Sequence, residues 1–288
     1  MSKKIGLYAN TDRDAGLYRT RQVIDILRDL GAVPLVDPTK QSTEVLSLPG
    51  ITHGSYTDCS VLISLGGDGT FLSAVHCAQE GQVPVIGINL GSIGFLTEIE
   101  PDQIEWALPA LVNGDYKIKE RMQLDVRCYH EDGSEFFAAL AINDAVLSRG
   151  AVPHIIPILL WIDGEKVETI PSDGVIVSTA TGSTGYAMAA GGPIIDPTLQ
   201  LMLITPICPH TLHNRSSIIA PHSKIRLTIG DHQHTSHLSV DGRKTVAVRR
   251  TDTVCINRAE NAARFICLVD RNFFKRVPDK IRGRGREA

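Results

Sequence analysis

The sequence predicts an α/β domain with a parallel, doubly wound sheet over residues 1–118, a mainly antiparallel β-sandwich domain over 119–270, and a basic tail over 271–288. Three observations predict it. Up to residue 89, short apolar runs of strand type alternate with segments of helical periodicity, as in strands joined by crossover helices. The pattern changes near Asn113-Gly114-Asp115. From Met122 onward apolar residues recur at every second position, and strand candidates follow one another without long helices between them.

The elements follow in order. Ile5-Gly6-Leu7-Tyr8-Ala9 reads as a first strand, and Asn10-Thr11-Asp12-Arg13-Asp14 as a turn and helix entrance. Val23, Ile24, Ile26, Leu27 and Leu30 recur at helical spacing until Gly31 supplies a stop. Residues 33–36 form a second strand closed by Asp37-Pro38, and the polar stretch 39–57 reads as a weak helix and a loop. Residues 58–65 are the next strand, followed by Gly66-Gly67-Asp68-Gly69-Thr70, a helix to Glu80, and a buried strand over 83–89. Binding in such a sheet is expected at the carboxyl ends of its strands, where both Asp68 and the 89–95 loop fall. In the β-rich half, strands are expected over 122–128, 136–142, 155–162, 167–170, 175–178, 225–229, 238–240, 253–256 and 265–269. Asp163-Gly164 signals a hairpin, and Tyr186-Ala187-Met188-Ala189-Ala190 a short helix. Trp106 and Trp161 read as core residues.

Bulk properties narrow the functional classes. A chain of 288 residues with 43% hydrophobic and 21% charged residues is an ordinary soluble globular protein. Its net charge of −3 demands neither nucleic acid nor an anionic membrane as partner. No apolar run approaches the length of a membrane span, and Met1-Ser2-Lys3-Lys4 leads into a strand, not a signal-peptide core. The six scattered cysteines suggest reduced, structural thiols in a cytoplasmic protein.

Three stretches carry candidate chemistry. In the first, Gly66, Gly67 and Gly69 have access to positive φ, which would turn successive backbone N–H groups into an anion cradle, with Thr70 beside it. The following helix N-terminus adds its dipole. A phosphate cradle around one carboxylate, Asp68, suits bringing a hydroxyl and a phosphoryl group together; the plainer alternative is that Asp68 caps the helix. The second stretch, from Ser172-Asp173-Gly174 to Thr181-Gly182-Ser183-Thr184-Gly185-Tyr186, offers hydroxyls and amides for phosphate or ribose, or simply caps a short helix. Ser183 has Thr181 two residues before it, so it is not a nucleophile elbow. Neither a P-loop nor Gly-x-Gly-x-x-Gly occurs. The third, Asn143-Asp144 at a strand end, suits an adenine edge or a ribose diol, or is an ordinary turn. The histidine-rich stretch Asp231-His232-Gln233-His234 with His237 reads as solvated surface, so no dedicated metal site is expected, and His210 and His213 read as structural.

Together these stretches resemble one family in its own order. Gly66-Gly67-Asp68-Gly69-Thr70, Asn89-Leu90-Gly91 with Gly94-Phe95-Leu96, Asn143-Asp144, Asp173-Gly174, Thr181-Gly182-Ser183-Thr184-Gly185-Tyr186, Gly191-Gly192-Pro193, the 206–212 block and Val240-Asp241-Gly242 are similar to bacterial NAD kinases. The glycine turn alone is shared with diacylglycerol-type lipid kinases and phosphofructokinases; the Asn-Asp pair and the Thr-Gly-Ser-Thr loop separate NAD kinases from those. The resemblance implies a Rossmann-like first domain, an active site in the cleft between two domains, and phosphorylation of the 2′-hydroxyl of the adenosine ribose of NAD by ATP with a divalent cation such as Mg²⁺. It implies a homodimer or homotetramer. Asp68 would be the general base, with Gly66, Gly67, Gly69 and Thr70 at the ATP phosphates, and Asp68 and Gly69 would also lie against the dinucleotide. Asn143 and Asp144 would bind the adenosine part. His154, Asp173, Thr181, Thr184, Gly185, Tyr186, Ala187, Met188 and Ala189 would line the dinucleotide pocket. This sequence departs from the family pattern at Asp144, where Glu is commoner, at Ala180 in place of a proline, and at Pro171 and Arg243. A lipid kinase sharing the glycine turn, and a non-catalytic dinucleotide sensor, are the alternatives.

Overall fold

The run Val61-Leu62-Ile63-Ser64-Leu65-Gly66 is buried at every position, which requires a strand covered on both faces. In the computed structural model, which describes residues 2–91, 94–150, 154–211, 215–231, 235–269, 272–275, 277 and 278, it lies at the centre of a seven-stranded sheet. The strands are β1 (Lys4–Ala9), β2 (Val33–Val36), β3 (Thr52–His53), β4 (Val61–Gly66), β5 (Val85–Asn89), β6 (Lys117–Arg121) and a strand from near the chain end, Ala263–Cys267. They lie in the order β3-β2-β1-β4-β5, then Ala263–Cys267, then β6, and β1 to β5 pair in parallel.

Helices cover both faces. Ile5, Leu7, Ile63, Leu65, Ile86 and Ile88 share one core with the apolar stripes of α1 (Tyr18–Asp29) and α4 (Ile104–Asn113), while α2 (Thr43–Leu46) is a single turn. The other face takes α3 (Asp68–Ala78): its Phe71 packs where Gly87 leaves room, since a Cβ there would meet the ring at 2.8 Å. From β1 the chain runs outward to β2 and β3, then returns to build β4 and β5 on β1's other side. The strand order therefore reverses between β1 and β4, and a crevice opens outside the carboxyl ends of such strands.

The second unit is built from antiparallel strands: β7 (Leu124–Tyr129), β8 (Glu135–Ala141), β9 (Asp144–Arg149), β10 (Ile156–Ile162), β11 (Glu165–Ser172), β12 (Gly174–Thr179), β13 (Met202–Ile207), β14 (Ser217–Ile219), β15 (Ile225–Ile229), β16 (Ser236–Val240), β17 (Lys244–Val248) and β18 (Thr253–Arg258). Two six-stranded sheets, β11-β10-β15-β18-β7-β8 and β14-β13-β12-β9-β16-β17, enclose one apolar core, a sandwich. The short helix α5 (Tyr186–Ala189) follows β12. Asp163 and Gly164, with φ of 52° and 90°, make the expected tight turn from β10 to β11.

The chain divides into one unit of residues 1–120 with 263–288, and another of 121–262. The last strand, β19 (Ala263–Cys267), is thus a correction: the expectation of a continuous β-rich domain over 119–270 assigns it to the sandwich, whereas it pairs in parallel with β5, Phe265 opposite Val85. Its apolar residues explain the choice. Ile266 joins the core of the parallel sheet, and the Phe265 ring meets Phe71 edge-on at 4.8 Å. Phe265→Ala is expected to lower the stability of the first unit by about 3 kcal/mol, read from urea unfolding. Most of the basic tail, 279–288 included, lies outside the described residues.

Trp106 is 45% exposed, contrary to a core role, and Trp161 is half-buried on the sheet's outer face beneath the Arg226 guanidinium at 4.2 Å. All six cysteines are free thiols. Among the described residues no helix is long and apolar enough to cross a membrane.

Candidate functional site

The first candidate site forms where β4 meets α3. Gly67 is the residue before the helix, and Asp68 is its first residue, yet Asp68 does not cap its own helix. Its carboxylate turns to the loop after β5, accepting the Phe95 N–H at 2.8 Å and the Leu96 N–H at 2.9 Å. Gly94 makes that approach possible, because a Cβ there would fall on Asp68 Oδ1 and lie 2.7 Å from Thr97 Oγ1. The carboxylate is thereby fixed in place by two backbone donors.

The glycines work differently from the expected cradle of left-handed residues. Neither Gly67 nor Gly69 has positive φ, and Gly66, at 159°, lies beside the extended region. Gly66 is needed because a Cβ would fall on the Thr70 side chain, whereas a Cβ on Gly67 or Gly69 meets nothing within 4 Å. What the turn provides is open space over the first amides of α3, at the positive end of an 11-residue helix. Beside it lies a cleft of about 290 Å³ lined by Asn10, Lys40, Gln41, Ser42, Gly69, Thr70 and Ser73 among others, with Lys40 the charged side chain of the lining. It sits at the switch point between β1 and β4, and Asn10 Nδ2 donates to Thr70 Oγ1 at 3.0 Å across it. Asn10 and Lys40 escape a motif-based reading; their position after β1 and β2 is the signal that finds them.

The second candidate site forms at one edge of the sandwich. Asn143 links β8 to β9, which starts at Asp144. Thr179, ending β12, holds this turn: its N–H donates to the Asn143 carbonyl at 2.9 Å and its hydroxyl to the Ile142 carbonyl at 2.6 Å. The Thr181–Thr184 turn then folds over it, and a Cβ on Gly182 would fall on the Asn143 carbonyl. Gly185 faces Asn143 Nδ2 and Asp144 Oδ2, both 3.8 Å from where its Cβ would be. Asn143 Oδ1 is buried without a hydrogen-bond partner among the described residues, and Asp144 is only 6% exposed. Burial pushes the Asp144 carboxyl up to about 7, and the neighbouring charge of Asp241 adds to it.

Thr181, Thr184 and Gly185 belong to the turn over this corner, and Tyr186, Met188 and Ala189 follow in α5, with Tyr186 and Ala189 exposed. Ala187 differs: its side chain is fully buried in an apolar cluster with Val146, Ile176 and Leu203, so only its backbone is available to a ligand. Ser183 is buried, donating to the Ala180 carbonyl and accepting from the Ile195 N–H, a structural role.

Asp173 and His154 lie elsewhere. Asp173 precedes β12 and accepts from Arg149 Nε at 2.8 Å, whereas Asn143 and Asp144 stand at the opposite end of the same strand pair. Five residues of strand separate the two ends, roughly 17 Å. The exposed His154 shares the Asp173 end, two residues before Ile156, which pairs with Ser172. Among the described residues no three His, Cys, Asp or Glu side chains gather as a metal site. His213 and residues 232–234 lie outside the described residues.

Comparison with known proteins decides the family. The family model described as ATP-NAD kinase N-terminal domain matches residues 5–116, and that of the ATP-NAD kinase C-terminal domain matches residues 142–268. The chain belongs to the NAD kinase family. An NAD kinase from Ruminiclostridium cellulolyticum is 36% identical over 286 residues, covering 99% of this chain and 100% of the relative. One from Geotalea daltonii is 35% identical over 280 residues, covering 97% and 98%. Two solved structures, each 24% identical, share the fold. Yeast NADH kinase complexed with NADH aligns at a TM-score of 0.85, covering 98% of this chain and 88% of that one. An Archaeoglobus fulgidus NAD kinase in complex with ATP aligns at 0.75, covering 98% and 99%. The NAD kinase C-terminal match runs through β19, so the family's second sequence block spans the strand that returns to the first sheet. The lipid-kinase and sensor alternatives find no support in these matches.

Proposed function

We propose that this chain is an NAD kinase, transferring the γ-phosphoryl group of ATP to the 2′-hydroxyl of the adenosine ribose of NAD. The observation that carries the reading is family membership along both units of the chain, with Asp68 standing in the glycine turn. Phosphoryl transfer needs a positioned hydroxyl, a group to take its proton, and neutralised phosphate charge. Asp68 takes the proton as the general base, and its two amide contacts hold it in one orientation. The open amides at Gly67, Gly69 and Thr70, with Gly66 shaping the turn, receive the donor's phosphates. A divalent cation, Mg²⁺, is carried chiefly by the phosphates themselves, as is usual for that ion. When bound, it neutralises charge developing on the transferred group.

Asn143 and Asp144 hold the adenosine part of NAD, and Thr181, Thr184, Gly185, Tyr186, Met188, Ala189 and the Ala187 backbone line its pocket. Asp173 and His154 lie about five residues of strand away from that corner, and the reading includes a homodimer or homotetramer. The reading includes a cytoplasmic enzyme with neither nucleic acid nor membrane as partner.

The test is to incubate the protein with NAD, ATP and Mg²⁺ and couple any NADP to an NADP-specific dehydrogenase. NADP formation is expected; its absence, with NAD still bound in calorimetry, sinks the catalytic reading. Lys40→Ala is expected to raise KM for ATP roughly fivefold, the size of one exposed charge contact, and to leave KM for NAD unchanged.

A further inference from the structure

The Asn143-Asp144 corner of the sandwich has a support from a distant part of the chain. Asp241 and Gly242 form the tight turn between β16 and β17, with φ of 50° and 64°. From that turn the Asp241 carboxylate accepts three consecutive backbone N–H groups, those of Ile142 at 2.8 Å, Asn143 at 2.8 Å and Asp144 at 3.0 Å. The Asp241 N–H donates in return to the Asp144 carbonyl at 2.9 Å. The sequence separation is 97–99 residues, so nothing local accounts for the arrangement.

We propose that Asp241 is a positioning residue for the dinucleotide, holding the Asn143-Asp144 turn through its three amide hydrogen bonds so that both side chains face the ligand. The inference deepens the reading of Asn143 and Asp144 as the contacts to the adenosine part of NAD, and rests on it. A half-buried carboxylate receiving three N–H donors satisfies backbone groups that would otherwise be stranded at the end of a strand. It also fixes the turn on which the Asn143 amide and the Asp144 carboxylate stand.

A second consequence is electrostatic. Asp241 is the one charge bearing on Asp144 among the described residues. The elements packed around Asp144 otherwise present Ser178 and Thr179 from β12, Thr181, Ser183 and Thr184 from the following turn, and the exposed Arg243 from the Asp241 turn. Asp144 accepts a hydrogen bond from a ribose hydroxyl best when ionised, so kcat/KM for NAD rises with pH through its titration near 7. Removing the Asp241 charge makes Asp144 easier to ionise and moves that acid limb to lower pH.

The test compares the full chain with Asp241→Asn and Asp241→Glu, measuring NAD affinity by calorimetry and kcat and KM from pH 5.5 to 9, roughly the span around the Asp144 titration. In Asp241→Asn the amide nitrogen faces a backbone donor, and KM for NAD is expected to rise about tenfold with kcat within about a factor of three. Its acid limb moves to lower pH. Asp241→Glu, which displaces the carboxylate but keeps its charge, raises KM while leaving the limb where the wild type has it. Asp144→Asn, with the clamp intact, removes the limb and decides the matter if neither Asp241 variant folds; a limb that persists in it overturns the proposal. Folded Asp241 variants with wild-type KM, or with kcat lowered and KM unchanged, also overturn it. Failure of the wild type to bind NAD at all refutes the underlying reading instead.

Discussion

Asp68→Asn is expected to lower kcat for NADP formation by about 10²- to 10⁴-fold, the range for loss of a general base. The substitution preserves shape but removes the proton acceptor. It also sets an amide N–H₂ against the N–H of either Phe95 or Leu96, which now donate to the two carboxylate oxygens. That clash is local to the loop after β5 and leaves Asn143 and Asp144 untouched, so NAD affinity in calorimetry should stay within about threefold of wild type while the chemistry is lost. Turnover within about tenfold of wild type would remove Asp68 from the role of base.

Gly182→Ala is expected to have the next largest effect. The added methyl would fall on the Asn143 carbonyl, backbone that cannot swing aside as the tip of a side chain can. Either the Thr181–Thr184 turn lifts off or the Asn143-Asp144 turn is pushed from its place, and the strain of such overpacking costs about 1–3 kcal/mol. Both outcomes disturb the same ligand contacts. NAD affinity should therefore fall more than tenfold, and the urea midpoint should fall with it. A variant with unchanged affinity and stability would show that the close approach of Gly182 to Asn143 is not required.

Much of this architecture was legible in the residues, for identifiable reasons. β1, β4 and β5 are apolar runs closed by Gly, Asn or Asp, and each appears as a strand whose carboxyl end meets a polar turn. Asp163-Gly164 was readable because its turn needs two residues tolerant of positive φ. β13 escaped because Met202–Ile207 is buried at nearly every position and shows no alternation, and β17 because Lys244–Val248 is a mostly exposed edge. β19 reads correctly as a strand but not as a strand of the first sheet; period-two patterning names a face, never a partner. The conformation of the glycine turn was likewise hidden, since it depends on Thr70 packing against Gly66 and on Gly94 yielding space to Asp68. At the second candidate site the Asn143-Asp144 and Thr-Gly-Ser-Thr stretches were recognisable as short motifs. The separation of Asp173 from them follows from the direction of β12, and the Asp241 clamp from a contact 97–99 residues away in sequence.

The most direct test of the central claim is to follow the transferred group itself. ATP carrying a labelled γ-phosphoryl group is incubated with NAD, Mg²⁺ and the protein, and the product is examined by phosphorus NMR. The account predicts that the label appears as a phosphomonoester on the 2′-oxygen of the adenosine ribose, with ADP in equal amount. Label found only as inorganic phosphate, or on an acceptor other than NAD, would contradict it.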